Sequence, residues 1–260
     1  MIHRALMLIY AGIAYILALV NIAYLLGFFL DYGVPKGISD GEPATIWVAV
    51  LIDTSLVFLF GLHHSITARA SFKRWWTKII PAPIERATYL YMTAIMTVVL
   101  VYFWRPIPIV VWETTVPWLT LSAYLLFFAI VLMMIMATFQ FGHFSFFGLA
   151  QAWQNFRKSS PAPLNMTARY LYAVVRHPIS LGWMLLPLIS PVVTAGHLVF
   201  ALATFVYIMM ATPFEERDLI EELGEDYLSY RRKVPAFMPF LKVKPDTATN
   251  FTSRIEKNDH

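Results

Sequence analysis

Tyr172-Ala-Val-Val-Arg176-His177-Pro178 opens directly into apolar sequence, and that sequence returns to charge at Glu215-Glu216-Arg217-Asp218. Between the two clusters lie two apolar segments, about Ile179 to Thr194 and His197 to Thr212. Each has ~16 residues, or ~24 Å at 1.5 Å per helical residue, against a hydrocarbon core of ~30 Å. These lengths predict a tight helical hairpin, displaced toward one membrane face. Its two feet then stand side by side, so that a cation and an imidazole face two carboxylates across a pocket at the membrane surface. Such a pocket suits a small zwitterionic or sulfonium-bearing ligand. Beyond it, Leu219, Leu223 and Tyr227 recur at helical spacing, so the Glu pair is expected to open a charged amphipathic helix running to Tyr230.

The composition puts this hairpin in a bilayer. The chain has 260 residues, of which 58% are hydrophobic and only 14% charged, with a mean hydropathy of +0.61. That is too apolar for a soluble domain of this size. Its 8 Trp and 13 Tyr fall largely near the ends of apolar runs, where amphipathic rings favour the interface. No Cys is present, which removes disulfides, thiolate nucleophiles and thiolate metal ligands together, so any nucleophilic sulfur belongs to a substrate. A net charge of +4 in so apolar a chain is not a nucleic-acid signal. The first apolar run is too long for a signal-peptide core, so no cleaved leader is expected.

Outward from the hairpin, four further runs read as spanning helices: Ala5 to Leu30, about Ala44 to Leu62, Ala87 to Phe103 and Val116 to Thr138. The second runs out through His63-His64-Ser65 into a basic segment carrying Arg69, Lys73, Arg74 and Lys78. Asp53, in mid-span, is costly there and reads either as functional or as a brace within the bundle, for instance against Asn21. The third and fourth runs are joined by a short Pro-rich loop with Arg105 and Glu113. Phe139 to Arg176 reads as an interfacial loop with short helices, broken at Pro161-Ala-Pro163, its aromatic run more simply interface packing than a substrate cage. If the chain threads the bilayer in this order, 18 of the 20 lysines and arginines lie on one side, and only Lys36 and Arg105 on the other. By the positive-inside rule the rich side is cytoplasmic, and both polar clusters face it.

Arg176, His177, Pro178 and Gly182, then Glu215 and Glu216, then Gly224, Glu225, Tyr227, Tyr230, Val234 and Pro235 together resemble the isoprenylcysteine carboxyl methyltransferase superfamily of membrane methyltransferases. Ser180 stands where that family usually has Tyr, and Trp183 lies one turn on. His64-Ser65 with Ala68-Arg69, Phe72-Lys73 with Trp75-Trp76, Ile84-Glu85-Arg86 and Phe147-Gly148-Leu149 are similar to bacterial membrane methanethiol S-methyltransferases, which are themselves similar to NnrU-type proteins. The resemblance implies an all-α polytopic membrane helical bundle of four spanning helices plus a C-terminal helical hairpin and cytoplasmic amphipathic helices. Residues 1–138 would be scaffold, 139–241 a cofactor-binding methyltransferase core and 242–260 a disordered tail.

It further implies S-adenosyl-L-methionine as cofactor, no metal, and a small volatile thiol as acceptor. The setting would be a bacterial inner membrane with the site facing the cytoplasm. Tyr172, Arg176, His177, Pro178, Gly182, Glu215 and Glu216 are the implied cofactor residues, with Glu215 on the ribose or amino group. A small alkyl thiol has a pKa of ~8.5 or above, so a base would help. His64 and His143 are the candidates, each with the plainer alternative of a hydrogen-bonded interfacial histidine. Family members acting on a peptide or prenyl carboxylate want an Arg about four residues before the Glu pair, where Ala211 and Thr212 stand here. The competing readings are another acceptor (carboxylate, isoprenoid or phospholipid amine) and a non-enzymatic NnrU-type membrane protein.

Overall fold

A computed structural model describes residues 1–159 and 169–239. The expected break at Pro161-Ala-Pro163 and the expected disordered tail at 242–260 lie outside them. Among the described residues five helices are long and apolar enough to cross a membrane. They are α1 (Ile2–Leu30), α2 (Ile46–Ala68), α4 (Glu85–Phe103, entered through a 3-10 turn), α5 (Pro117–Phe141) and α10 (Ala195–Leu223). Short helices α3 (Ala70–Trp76), α6 (His143–Phe146), α7 (Leu149–Arg157), α8 (Leu171–Val174), α9 (Pro178–Leu185) and α11 (Glu225–Lys233) complete the bundle, with strands β1 (Val110–Glu113) and β2 (Val192–Thr194).

Small residues bring the spans together, as expected where lipid removes the hydrophobic drive between helices. Ala11, Ala14 and Ala18 of α1 are buried beside Ala87 and Leu90 of α4. Three hydrogen bonds lock this pair: Tyr10 to Thr88 at 3.1 Å, Asn21 to Thr97 at 3.0 Å, and the Tyr91 hydroxyl to the Tyr10 carbonyl at 3.1 Å. Asn21 therefore does not meet Asp53. That carboxylate is fully buried and instead accepts the Arg105 backbone N–H at 2.8 Å, bracing α2 against the end of α4. Lys36 stitches the same end, donating to the Tyr102 and Trp104 carbonyls at 2.9 Å each. The main apolar core lies alongside, built on Phe28, Phe29, Trp104, Phe127, Leu186 and Phe200.

The C-terminal pair differs in detail from two equal arms. The first arm is α9, which tightens into a 3-10 turn at Leu186–Leu188 and gives way to β2, paired antiparallel with β1. Pro187 and Pro191 explain the early stop, since neither offers an N–H to continue a helix. The second arm is a single 29-residue helix that passes through Pro213 and carries Glu215 and Glu216 inside it. The Glu pair thus rides on the extension of a spanning helix. The charged helix opens later, at Glu225, after Gly224 takes a positive φ of 59°. α10 begins with a capping box in which the Thr194 and His197 side chains and backbones exchange bonds, and His197 Nε2 also reaches the Phe29 carbonyl at 2.9 Å.

Candidate active site

Arg176 and His177 occupy an extended step between α8 and α9, with Val175 at φ −141°, ψ 150°. Their backbone N–H groups donate to the Pro235 and Ala236 carbonyls at 2.9 and 3.1 Å, fixing the step against the chain just beyond α11. Pro178 then supplies the first turn of α9, where a missing N–H costs nothing. Across from this step stands the Glu pair. Arg176 Nε and Nη2 each lie 2.7 Å from Glu216 Oε1, and His177 Nε2 lies 3.0 Å from the same oxygen. Arg231 Nε approaches the other oxygen at 3.3 Å. Arg176 Nη1 donates to the Arg231 and Val234 carbonyls.

The two carboxylates are therefore in different situations. The Glu216 side chain keeps 7% of its exposure and is fully committed to its neighbours. The Glu215 side chain keeps 60%, and its one ionic neighbour is His177 Nδ1 at 3.8 Å. Glu216 acts as the central pin joining α10, the 176–178 step and α11, while Glu215 is available to a ligand. A shell of tyrosines encloses the pin. Tyr230 donates to the Tyr172 carbonyl at 2.6 Å. Burial pushes the Tyr230 hydroxyl up to about 12, and lifts those of Tyr172 and Tyr227 well above the ordinary phenol value, so all three stay neutral donors. A cavity of about 410 Å³ opens beside the pin, lined by Arg176, Glu216, Arg217, Ile220, Arg231 and Phe237 among others. His177 adjoins this lining, its ring centroid 5.5 Å from that of Phe237, and Glu215 lies 3.8 Å from His177 Nδ1.

The remaining sequence-derived candidates separate into two neighbourhoods. His64 lies in the last turns of α2, where its ring nitrogens are both 2.8 Å from the Tyr89 hydroxyl of α4 and its ring stacks on Phe60. Arg69, just beyond α2, donates to the Phe214 carbonyl at 2.7 Å and pairs with Asp218 at 3.0 Å, which lays the His64 end of α2 along α10 beside the Glu pair. His143 is engaged elsewhere: Thr138 Oγ1 meets Nδ1 at 2.7 Å, Tyr15 OH meets Nε2 at 2.9 Å, and Phe139 stacks on the ring at 4.3 Å. Gly182 allows α9 to press onto α5, since a Cβ there would overlap the Met134 thioether. Trp183 packs against the main apolar core. Arg231, Phe237, Tyr89 and Tyr207 were not singled out from sequence. Arg231 reads as part of a solvated basic run, and Tyr207 as one more aromatic in an apolar helix.

The end-to-end relatives decide the family. A methanethiol S-methyltransferase of Bradyrhizobium diazoefficiens is 41% identical over 93% of both chains. The chain belongs to the methanethiol S-methyltransferase family. A second member, from Mycobacterium tuberculosis, is 37% identical over 91% of this chain and 97% of its own. Nurim from Bos taurus is a more distant relative, 27% identical over 68% of this chain and 71% of its own. No family model and no solved structure matches the chain. Membership of the methanethiol S-methyltransferase family agrees with the membrane bundle and with the resemblance carried by His64-Ser65 and the Arg176 to Pro235 pattern. Among the described residues no group of three or more His, Asp or Glu side chains is close enough to hold a metal ion.

Proposed function

We propose that the protein is an S-adenosylmethionine-dependent methyltransferase of a bacterial inner membrane, converting methanethiol to dimethyl sulfide with its site open to the cytoplasm. The observation that carries the acceptor is the 41% identity across 93% of both chains to a protein of that activity by name. The side chains present fit the donor. Glu215 is an uncommitted carboxylate for the ribose or amino group, and Arg217 and Arg231 offer guanidinium groups for the donor's carboxylate. Ile220 and Phe237 offer apolar and aromatic surface for adenine. Bound there, S-adenosylmethionine supplies a methyl group on a positively charged sulfur, which leaves with the bonding pair as a neutral thioether.

Tyr172, His177 and Pro178 shape the wall on the Glu215 side, while Arg176 and Glu216 hold that wall in place. His64 is the preferred base. A single hydroxyl, that of Tyr89, faces both His64 nitrogens and can satisfy only one at a time, whereas His143 has a separate hydroxyl partner at each nitrogen and a base needs a free lone pair. His64 takes the S–H proton, and the lone pair left on the thiolate becomes the new carbon–sulfur bond. Alignment of thiolate and methyl group then supplies most of the acceleration. Headspace gas from cells given methanethiol tests the proposal: dimethyl sulfide should rise on expression and fall back with Glu215→Gln. Purified protein that binds no S-adenosylmethionine, or expression without added dimethyl sulfide, overturns it.

A further inference from the structure

On the membrane side of Glu215, three helices contribute polar groups that the donor does not use. Tyr89 of α4 places its hydroxyl between the two ring nitrogens of His64, and the Arg86 guanidinium covers its ring at 4.6 Å. Arg86 is itself anchored through Nε to the Phe146 carbonyl at 2.9 Å. Tyr207 of α10 crosses to α2, where its hydroxyl meets Ser65 Oγ at 2.5 Å. Its ring lies so close to Gly61 that a Cβ at that position would come within 2.5 Å of a ring carbon. Tyr207 is thus held at both ends, its ring by the α2 backbone and its hydroxyl by the next turn of the same helix. Beyond Ser65, Arg69 donates to the Phe214 carbonyl at 2.7 Å and pairs with Asp218 at 3.0 Å, so the end of α2 that carries His64 runs along α10 from Tyr207 past Glu215.

We propose that this region is the acceptor chamber, and that Tyr207, clamped by Gly61 and Ser65, is the wall that sets acceptor size. His64 and Tyr89 form the deprotonating side, Glu215 marks the donor side, and the immobile Tyr207 ring leaves room for a one-carbon thiol while turning away longer alkyl thiols. Steric exclusion by a clamped ring is a stronger filter than a missing contact, because the ring cannot swing aside without displacing α2 from α10. The inference rests on the reading of the protein as a thiol S-methyltransferase.

The test uses the purified full chain with S-adenosylmethionine and an equimolar mixture of methanethiol and ethanethiol, reading the ratio of ethyl methyl sulfide to dimethyl sulfide. One methylene in an apolar pocket is worth about 10- to 200-fold. Tyr207→Leu should therefore raise the ratio about 10-fold or more, while Tyr207→Phe, which keeps the ring, holds it within about twofold. S-adenosylmethionine affinity, measured by titration, should be unchanged in both. Gly61→Ala pushes the ring into the chamber and should raise KM for methanethiol without altering donor affinity, which keeps the test decisive if the Leu variant does not fold. An unchanged ratio in Tyr207→Leu, or an unchanged KM in Gly61→Ala, overturns the assignment of Tyr207. A wild-type protein that makes no dimethyl sulfide overturns the functional reading instead.

Discussion

Glu215 and Glu216 are chemically identical neighbours with opposite duties, and the difference can be measured. Removing Glu216 leaves Arg176 buried without a counter-charge, and breaking such a pair costs about 3–5 kcal/mol. Glu216→Ala should therefore lower the thermal midpoint sharply in a detergent melt. Glu215→Ala, at a half-exposed site, should leave the midpoint nearly unchanged while abolishing methyl transfer. His143 yields a pH prediction. Burial holds its imidazole below the ordinary value of 6.5, so the folded protein disfavours the charged ring. That contribution to stability is complete above about pH 6.5 and is lost as pH falls toward the depressed folded value. His143→Gln should lose less stability than wild type between pH 7 and 5, read as the difference between the two melting curves. The resemblance assigned Glu215 to the donor, but the structural commitment of Glu216 was not legible in sequence, because it depends on Arg176, His177 and Arg231 converging on one carboxylate from separate elements.

At the scale of elements, α9 and α10 show what hydropathy can and cannot delimit. Two apolar segments after Arg176-His177 were legible, and so were their feet at the same membrane edge. Their lengths were not. The first arm ends early because Pro187 and Pro191 remove N–H donors, and a partner strand, β1, was waiting in what read as a Pro-rich loop. The second arm continues past Glu216 because charged residues that have reached water no longer oppose a helix. The close seat of α9 on α5 depends on Gly182. Gly182→Ala should destabilise the protein by about 1–3 kcal/mol, as expected of overpacking. Met134→Ala in the same chain should restore part of the loss by opening space for the new methyl group, checked by comparing the melts of single and double variants.

For the whole molecule, orientation is the property most directly open to test. Thr115 and Ser159 are exposed, one in the loop before α5 and the other just after α7, and the chain has no native Cys. Thr115→Cys should react with an impermeant maleimide on intact spheroplasts, while Ser159→Cys should react only after lysis. The reverse pattern would place the site outside. The Lys and Arg distribution predicts that outcome without coordinates, since charge crosses a bilayer only at high cost. Composition alone determined that this chain lives in a membrane, apolar length delimited the four runs before the hairpin, and the Arg176 to Pro235 pattern pointed to the residues around the Glu pair. Only the tertiary structure decided which carboxylate is committed and which is exposed, and that His64 pairs with Tyr89 while His143 pairs with Thr138 and Tyr15. The physical reason is that hydropathy is a property of each residue with its neighbours in sequence, whereas hydrogen bonding and burial belong to pairs brought together from distant helices.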